Sequence, residues 1–162
     1  MKTKLDAARL RDALDYDPDT GIFRWRISTN RRIVIGSIAG CLFRGVIQIK
    51  FDGGCYRAHR LARLHVYGHW PKQQIDHKNG NPADNRISNL RDVSAVVNRQ
   101  NIHRPQRRNK LGLLGVSVCS NSNKFRARVG HDYLGIFDTP QEAHSAYLRA
   151  KIERHEGYVP CV

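Results

Sequence analysis

The C-terminal third of the chain constrains the fold most, because short strand-like segments follow one another there at regular spacing. Residues 115–120, 124–129 and 133–137 are apolar or alternating, and polar or glycine-containing turns separate them at residues 121–123 and 130–132. Strands of this length pair readily across such turns. The pattern therefore predicts a three-stranded antiparallel sheet.

One helix follows these strands. Residues 139–142 read Thr-Pro-Gln-Glu, a capping box with proline at the first helical position. Small and aromatic residues then recur at the spacing of one helix face, at Ala143, Ala146, Tyr147 and Ala150. We expect this helix to cover one face of the sheet.

The second of these strands carries bases in alternation. Lys124, Arg126 and Arg128 are separated by apolar residues, so we expect the three bases to share one face. Two interpretations stay open. The bases form a solvated surface, or the sheet lies in a groove of DNA, which admits a β-sheet reader.

The first two thirds of the chain mix short helices and strands. Helical spacing predicts helices over residues 4–15 and 58–67, and apolar-polar alternation predicts strands over residues 22–26, 46–51 and 55–57. Short elements in this mixed order are typical of an α+β fold. The α+β class is our prediction for the whole chain.

Charge is unevenly distributed along the chain, whose formal net charge is +14. Residues 21–75 carry ten bases and one acid, and residues 99–110 carry five bases and no acid. Residues 76–98, which lie between them, carry three of each. The excess indicates a polyanionic partner, and the balanced segment is where necessary acids would sit.

Membrane insertion and export are not expected. The two longest stretches without a charge, residues 33–43 and 111–123, are 11 and 13 residues long, whereas a membrane span needs about 20 apolar residues. The first ten residues carry charges where a secretory signal has its apolar core. The four cysteines form no C-x-x-C pair, so we interpret Cys41, Cys55, Cys119 and Cys161 as reduced, mostly buried thiols.

Residue types that can bind a metal ion or accept a proton are concentrated in residues 76–81, which read Asp-His-Lys-Asn-Gly-Asn. Carboxylate and amide oxygens are hard ligands for Mg²⁺, and a neutral imidazole can take a proton from water. These are the parts of a one-metal hydrolysis of a phosphodiester. Composition alone favours a surface turn, because asparagine-rich segments usually form turns.

Several runs together resemble the HNH endonucleases of phages and mobile elements. The resemblance covers residues 45–101 and rests on residues 58–62, 75–81 and 84–91, with Asn98 and Asn101. It implies a ββα-metal unit, also called a His-Me finger. In such a unit, an extended loop joins two antiparallel strands, and a helix completes the metal site.

The resemblance also implies roles for single residues. His77 would be the general base, and Asn89 would tie the loop to the histidine's strand. Asp76 and Asn98 would hold one Mg²⁺ or Mn²⁺ ion. His59, which lies outside these roles, is expected to pack.

The C-terminal unit resembles a second family, the APETALA2-type DNA-binding domains. This resemblance covers residues 111–157 and implies binding to the major groove through the sheet. Ser117 and Cys119 stand where many plant members place base-reading arginines, which leaves open whether this sheet reads bases or only phosphates. The bases expected to contact DNA are Arg60, Arg63, Arg104, Arg107, Arg108, Lys110, Lys124, Arg126 and Arg128.

Together these patterns predict a metal-dependent DNA endonuclease of homing or mobile-element type. We expect a nuclease domain at residues 1–101, a basic linker at 102–112 and a DNA-binding domain at 113–162. The expected substrate is double-stranded DNA, bound by a monomer or weak dimer in the cytoplasm of a bacterial or phage-infected cell. The alternatives are an inactive DNA-binding regulator and a nuclease acting on branched DNA or RNA.

Overall fold

The computed structural model describes residues 5–120 and 122–160. Lys4, Asn121 and Cys161, which enter the expectations above, lie outside the described residues. The chain divides into two compact units, Met1–Ala95 and Val96–Val162. No helix among the described residues is long and apolar enough to cross a membrane.

Over residues 5–95, the first unit contains two helices and three small antiparallel sheets. Strands β1 and β2 form one sheet, β3, β4 and β5 the second, and β6 and β7 the third. The elements in order are α1 Ala7–Ala13, β1 Leu14–Tyr16, β2 Phe23–Trp25, β3 Cys41–Phe43, β4 Val46–Phe51, β5 Gly54–Arg57, α2 Ala58–Tyr67, β6 Gln74–His77, a 3₁₀ turn Ile87–Asn89 and β7 Leu90–Val93.

Helix α1 is shorter than the helix predicted over residues 4–15, and that prediction is wrong at its C-terminal end. The Asp6 side chain caps the helix by accepting a hydrogen bond from the Arg9 backbone N–H at 2.8 Å. The helix ends at Ala13 because residues 14–16 leave it to pair with β2. The gain from strand pairing, with alternate residues buried, overrides the helical spacing.

Helix α2 has the predicted bounds and forms the centre of the first unit. Its apolar side chains Leu61 and Leu64 are buried in the same cluster as Ile49 and Phe51 of β4. Burying a side chain of this size contributes about 1.5–3 kcal/mol. Gly68, in the left-handed conformation at φ 78°, ends the helix.

The turn after β1 packs against the loop between β6 and β7. The Tyr16 hydroxyl donates to the Asn85 carbonyl oxygen at 2.7 Å, and the Ile87 backbone N–H donates to the Pro18 carbonyl oxygen at 3.0 Å. Gly21 has φ +72°, and a Cβ there would overlap the Asn85 backbone. The N-terminal segment therefore supports the loop that follows His77.

The second unit has the predicted sheet and helix. Its elements are α3 Ala95–Gln100, which begins at the boundary, β8 Val116–Val118, β9 Phe125–Val129, β10 Asp132–Phe137 and α4 Pro140–Arg154. The sheet is antiparallel, with β9 in the centre. Both hydrogen bonds of the predicted capping box form between Thr139 and Glu142, each at 3.2 Å. Ala143, Tyr147 and Ala150 of α4 are buried.

The start of the predicted linker is bound within the second unit. Lys151 of α4, only 2% exposed, donates through Nζ to the Ile102 carbonyl oxygen at 2.5 Å. Burial lowers the pKa of Lys151 to about 8. The Val159 backbone N–H donates to Asn101 Oδ1 at 3.0 Å. The domain boundaries stay a prediction.

The cysteines differ in exposure. Cys119 is buried, as expected, whereas Cys41 on β3 and Cys55 on β5 are exposed, so the expectation of burial is wrong for these two. These two lie on strands of a sheet whose other face carries the core residues Ile49 and Phe51. All three of these cysteines are free thiols.

Candidate active site

Strand β6 ends with two buried residues that carry the proposed chemistry. Asp76 is 6% exposed and His77 is 7% exposed. In the pairing of β6 with β7, Asp76 lies opposite Arg91 and His77 lies opposite Leu90. The sheet therefore fixes the backbone of both residues from one side.

The Asp76 carboxylate forms an ion pair within the sheet. Arg91 donates from Nε at 2.8 Å and from Nη2 at 2.7 Å, and both bonds reach Asp76 Oδ2. Both side chains are mostly buried, so solvent screens this pair less than a surface pair. The contact holds the carboxylate in one orientation.

The His77 imidazole is held by the loop side chain of Asn85. His77 Nε2 lies 3.3 Å from Asn85 Oδ1, while Asn85 Nδ2 donates to the Ala83 carbonyl oxygen at 3.3 Å. With the amide oriented in this way, Nε2–H donates and Nδ1 carries the lone pair.

Burial lowers the pKa of His77, against opposing effects of the Asn85 hydrogen bond and of Asp76 and Asp84. The dominant effect is loss of hydration of the charged ring. A neutral imidazole is the form that accepts a proton.

Asn89 connects the two ends of the loop. Its Oδ1 accepts a hydrogen bond from the Asn79 backbone N–H at 3.1 Å, and its Nδ2 donates to the Asp84 carbonyl oxygen at 2.8 Å. Its own carbonyl oxygen accepts from the Lys78 backbone N–H at 2.9 Å. These bonds fix the segment that follows His77.

Asp84 strengthens the same loop. It accepts hydrogen bonds from Arg86 at 2.6 Å and from Asn79 Nδ2 at 2.7 Å. The Arg86 hydrogen bond is the main reason that the pKa of Asp84 falls to about 2. The carboxylate is therefore ionised at neutral pH, and the loop keeps its charge-assisted bonds.

His59 of α2 contacts the His77 ring. The two ring centroids lie 5.1 Å apart and the ring planes make an angle of 86°. His59 is 7% exposed, and burial lowers its pKa to about 3. Its packing against a ring agrees with the expectation from the sequence.

The other predicted metal ligand, Asn98, lies on α3, in the second unit. Its carbonyl oxygen accepts a hydrogen bond from the Asn101 backbone N–H at 3.2 Å. Among residues 5–120 and 122–160, no three His, Cys, Asp or Glu side chains form a cluster that could hold a metal ion.

Two of the predicted DNA-contacting bases are engaged in the first unit. Arg60 donates to the carbonyl oxygens of Pro71 and Gln73 at 3.4 and 3.3 Å. Arg63 lies over the Tyr67 ring, 4.1 Å from its centroid. The remaining predicted bases are exposed: Arg104, Arg107, Arg108, Lys110, Lys124, Arg126 and Arg128.

The exposed face of the second unit combines bases with apolar side chains. Arg126 lies opposite Ile136 in the sheet, and Arg128 lies opposite Tyr133. Ile136 is 50% exposed and Tyr133 is 58% exposed. Lys124 precedes β9 and forms a salt bridge with Asp138.

The segment from β5 to α3 has a recognisable sequence. Residues 56–100 match the family model of the HNH endonucleases. The match contains Asp76, His77, Asn89 and Asn98, and it supports a nuclease that hydrolyses phosphodiester bonds in a nucleic acid. Nucleases of this family typically use a divalent metal ion. No curated protein and no solved structure is significantly similar to the chain.

The prediction of site residues did not include Asn85. It lies four residues before Asn89, within an asparagine-rich run, and is only 2% exposed. Its signal in the sequence is the run itself, which does not distinguish one asparagine from another. The fold distinguishes them, because the Asn85 side chain is bonded to the His77 ring.

Proposed function

We propose that this chain is a metal-dependent endonuclease that hydrolyses phosphodiester bonds of double-stranded DNA, with His77 as general base. The observation that carries the proposal is the buried His77 ring, bonded through Nε2 to Asn85 and adjacent along β6 to the carboxylate of Asp76. A buried imidazole bonded through one nitrogen is held in a defined direction, and its neutral form can accept a proton.

In the proposed reaction, His77 Nδ1 takes a proton from the water that attacks phosphorus. Asn85 holds the tautomer in which Nδ1 bears the lone pair. As the ring gains its charge, Asn85 Oδ1 keeps accepting from Nε2–H. The adjacent carboxylate of Asp76 stabilises the resulting imidazolium.

The residue types predicted as ligands suit one hard divalent cation. Asp76 offers a buried carboxylate, the sequence predicts the amide oxygen of Asn98 as a second ligand, and such oxygen ligands suit Mg²⁺ or Mn²⁺. The residues described in the structure form no His, Cys, Asp and Glu cage of the kind that zinc uses. When bound, the cation would stabilise charge that develops on the phosphate and the leaving oxygen.

Arg91 limits how this carboxylate is used. Both of its described bonds reach Asp76 Oδ2. A metal ion held by Asp76 would therefore share the carboxylate with a guanidinium. That competition would weaken binding of the free ion and would favour an ion that also binds the substrate phosphate, as Mg²⁺ commonly does.

DNA binding is assigned to the exposed bases of the second unit, in an APETALA2-like mode. The face formed by Arg126, Arg128, Tyr133 and Ile136 supports this assignment, because it offers cations for phosphates and apolar groups for base edges. A mobile-element or homing role follows from the pairing of an HNH segment with a separate DNA-binding unit.

Incubation of the purified protein with supercoiled plasmid tests the function. We expect open-circular product with Mg²⁺ or Mn²⁺ and no product with EDTA, because one site per chain cuts one strand per event. Binding without cutting in any divalent metal would favour the inactive regulator. Cleavage of RNA or branched DNA in preference to the plasmid would contradict the double-stranded substrate.

A further inference from the structure

The ring of His59 is placed against His77 at a cost to stability. The two rings meet edge to face, with centroids 5.1 Å apart. His59 is 7% exposed, and its Nδ1 has no hydrogen-bond partner among the described residues. Buried polar atoms without a partner are rare in native proteins and destabilise the fold. Stability alone therefore does not account for a histidine here.

The contact with His59 restrains the orientation of the His77 ring. Rotation about the last side-chain bond of a histidine has only broad preferences. The bond from His77 Nε2 to Asn85 Oδ1 measures 3.3 Å, which is long for an N–H···O hydrogen bond. A long bond restrains the ring weakly, and the edge-to-face contact with His59 adds to that restraint.

We propose that His59 is a positioning residue for His77, whose ring it holds in the orientation that keeps Nε2 on Asn85. Edge-to-face packing has a defined geometry, so rotation of the His77 ring would break the contact. The consequence for catalysis rests on the proposed function. The packing role itself does not.

The chemical state of His59 suits this role. Burial, with further contributions from His77, Arg57 and Arg60, lowers the pKa of His59 to about 3. The ring is thus neutral at physiological pH and does not compete with His77 for a proton. It packs against His77 as an uncharged ring.

The same helix supplies a matched control. His65 is also on α2 and also contacts aromatic rings, those of Tyr16 at 5.6 Å and Phe23 at 6.2 Å. Its ring contacts are thus with β1 and β2. His65→Leu therefore removes an aromatic histidine from α2 without removing the contact under test.

The imidazole NMR signals of the free protein test the packing role without DNA or metal. In the wild type and in His59→Phe, which keeps a ring, we expect the Nε2–H tautomer of His77 to dominate. In His59→Leu we expect the His77 signals to shift towards an average of both tautomers, and in His65→Leu we expect no change. An unchanged His77 tautomer in His59→Leu overturns the proposal.

Cleavage kinetics test the consequence. For His59→Leu we expect kcat to fall about tenfold with KM within about twofold, because the base is misaligned rather than the substrate lost. His59→Phe should restore kcat to within about threefold. The melting temperature of His59→Leu should equal or exceed that of the wild type, because the unpartnered Nδ1 is removed.

The two readouts separate the possible failures. A loss of kcat in His59→Leu with a lower melting temperature and an unchanged His77 tautomer would show a merely structural residue and overturn the positioning role. If the wild-type protein does not cut DNA, the proposed function fails, and the tautomer of His77 alone decides whether His59 positions it.

Discussion

The end of β6 and the exposed face of β9 hold their polar side chains in opposite ways. Asp76 and His77 are more than nine-tenths buried, and each has a defined partner. Arg126 and Arg128 project from β9 into solvent. A buried, directed group suits chemistry, in which small displacements matter, whereas exposed cations suit binding, in which each charge adds a similar amount. Single substitutions should therefore have large effects on cleavage in the first region and graded effects on binding in the second.

Removal of the His77 imidazole should give the largest effect on cleavage. We expect His77→Ala to lower the cleavage rate by about 10³-fold, within the range that general-base catalysis contributes. DNA affinity should stay within about threefold, because the phosphate-binding bases are elsewhere. Single-turnover cleavage and binding titrations measure the two quantities. His131→Ala, in the exposed turn between β9 and β10, is the control. A rate near wild type would remove His77 from the mechanism.

Substitution of Gly21 tests whether the turn after β1 supports the loop between β6 and β7. An alanine there takes a left-handed conformation and overlaps the Asn85 backbone, so we expect a loss of about 2–4 kcal/mol in unfolding free energy. Gly36 has φ +83° with open space around it, so Gly36→Ala should lose only about 1–2 kcal/mol. Chemical denaturation measures both variants. Equal losses would mean that the turn does not press on the loop.

Several elements of the fold could be predicted from the sequence alone. The bounds of α2, the sheet of the second unit and the capping box at Thr139 follow from local patterns, because spacing and capping act within a few residues. The end of α1 does not, since the pairing of residues 14–16 with β2 is a longer-range effect. Local spacing also favoured a helix through residue 15, and strand pairing prevailed.

The segment that holds the candidate site could be predicted from its residue types, whereas the contacts between its side chains could not. The segment containing Asp76 and His77 was identified, and the match over residues 56–100 supports it. The bond from Asn85 to His77 was not predictable, because several nearby asparagines are chemically equivalent until the loop folds. The contact of His59 with His77 likewise joins residues 18 positions apart and depends on how α2 packs.

Substitution of Asn85 tests how much the cleavage rate depends on the orientation of the His77 ring. We expect Asn85→Ala to lower the cleavage rate by about tenfold, as is typical when a partner that orients a reactive group is removed. DNA affinity should not change. Asn123→Ala, in the exposed turn before β9, is the matched control. If Asn85→Ala left the rate unchanged, the described bond to His77 would have no catalytic role.

The bases of the second unit should give the smallest effects, and these should depend on salt. Each phosphate contact that is lost lowers the slope of log K against log salt by about one, so Arg126→Ala with Arg128→Ala should lower it by about two. Lys124 is paired with Asp138 at 3.0 Å, so Lys124→Ala should change the slope less than either arginine substitution does. Affinity titrations across salt concentrations measure this order. Asp138→Ala, which frees Lys124, should tighten binding. An unchanged slope in the double arginine variant would mean that this face of β9 does not contact the DNA, and the contrast between the two regions would then rest on the buried site alone.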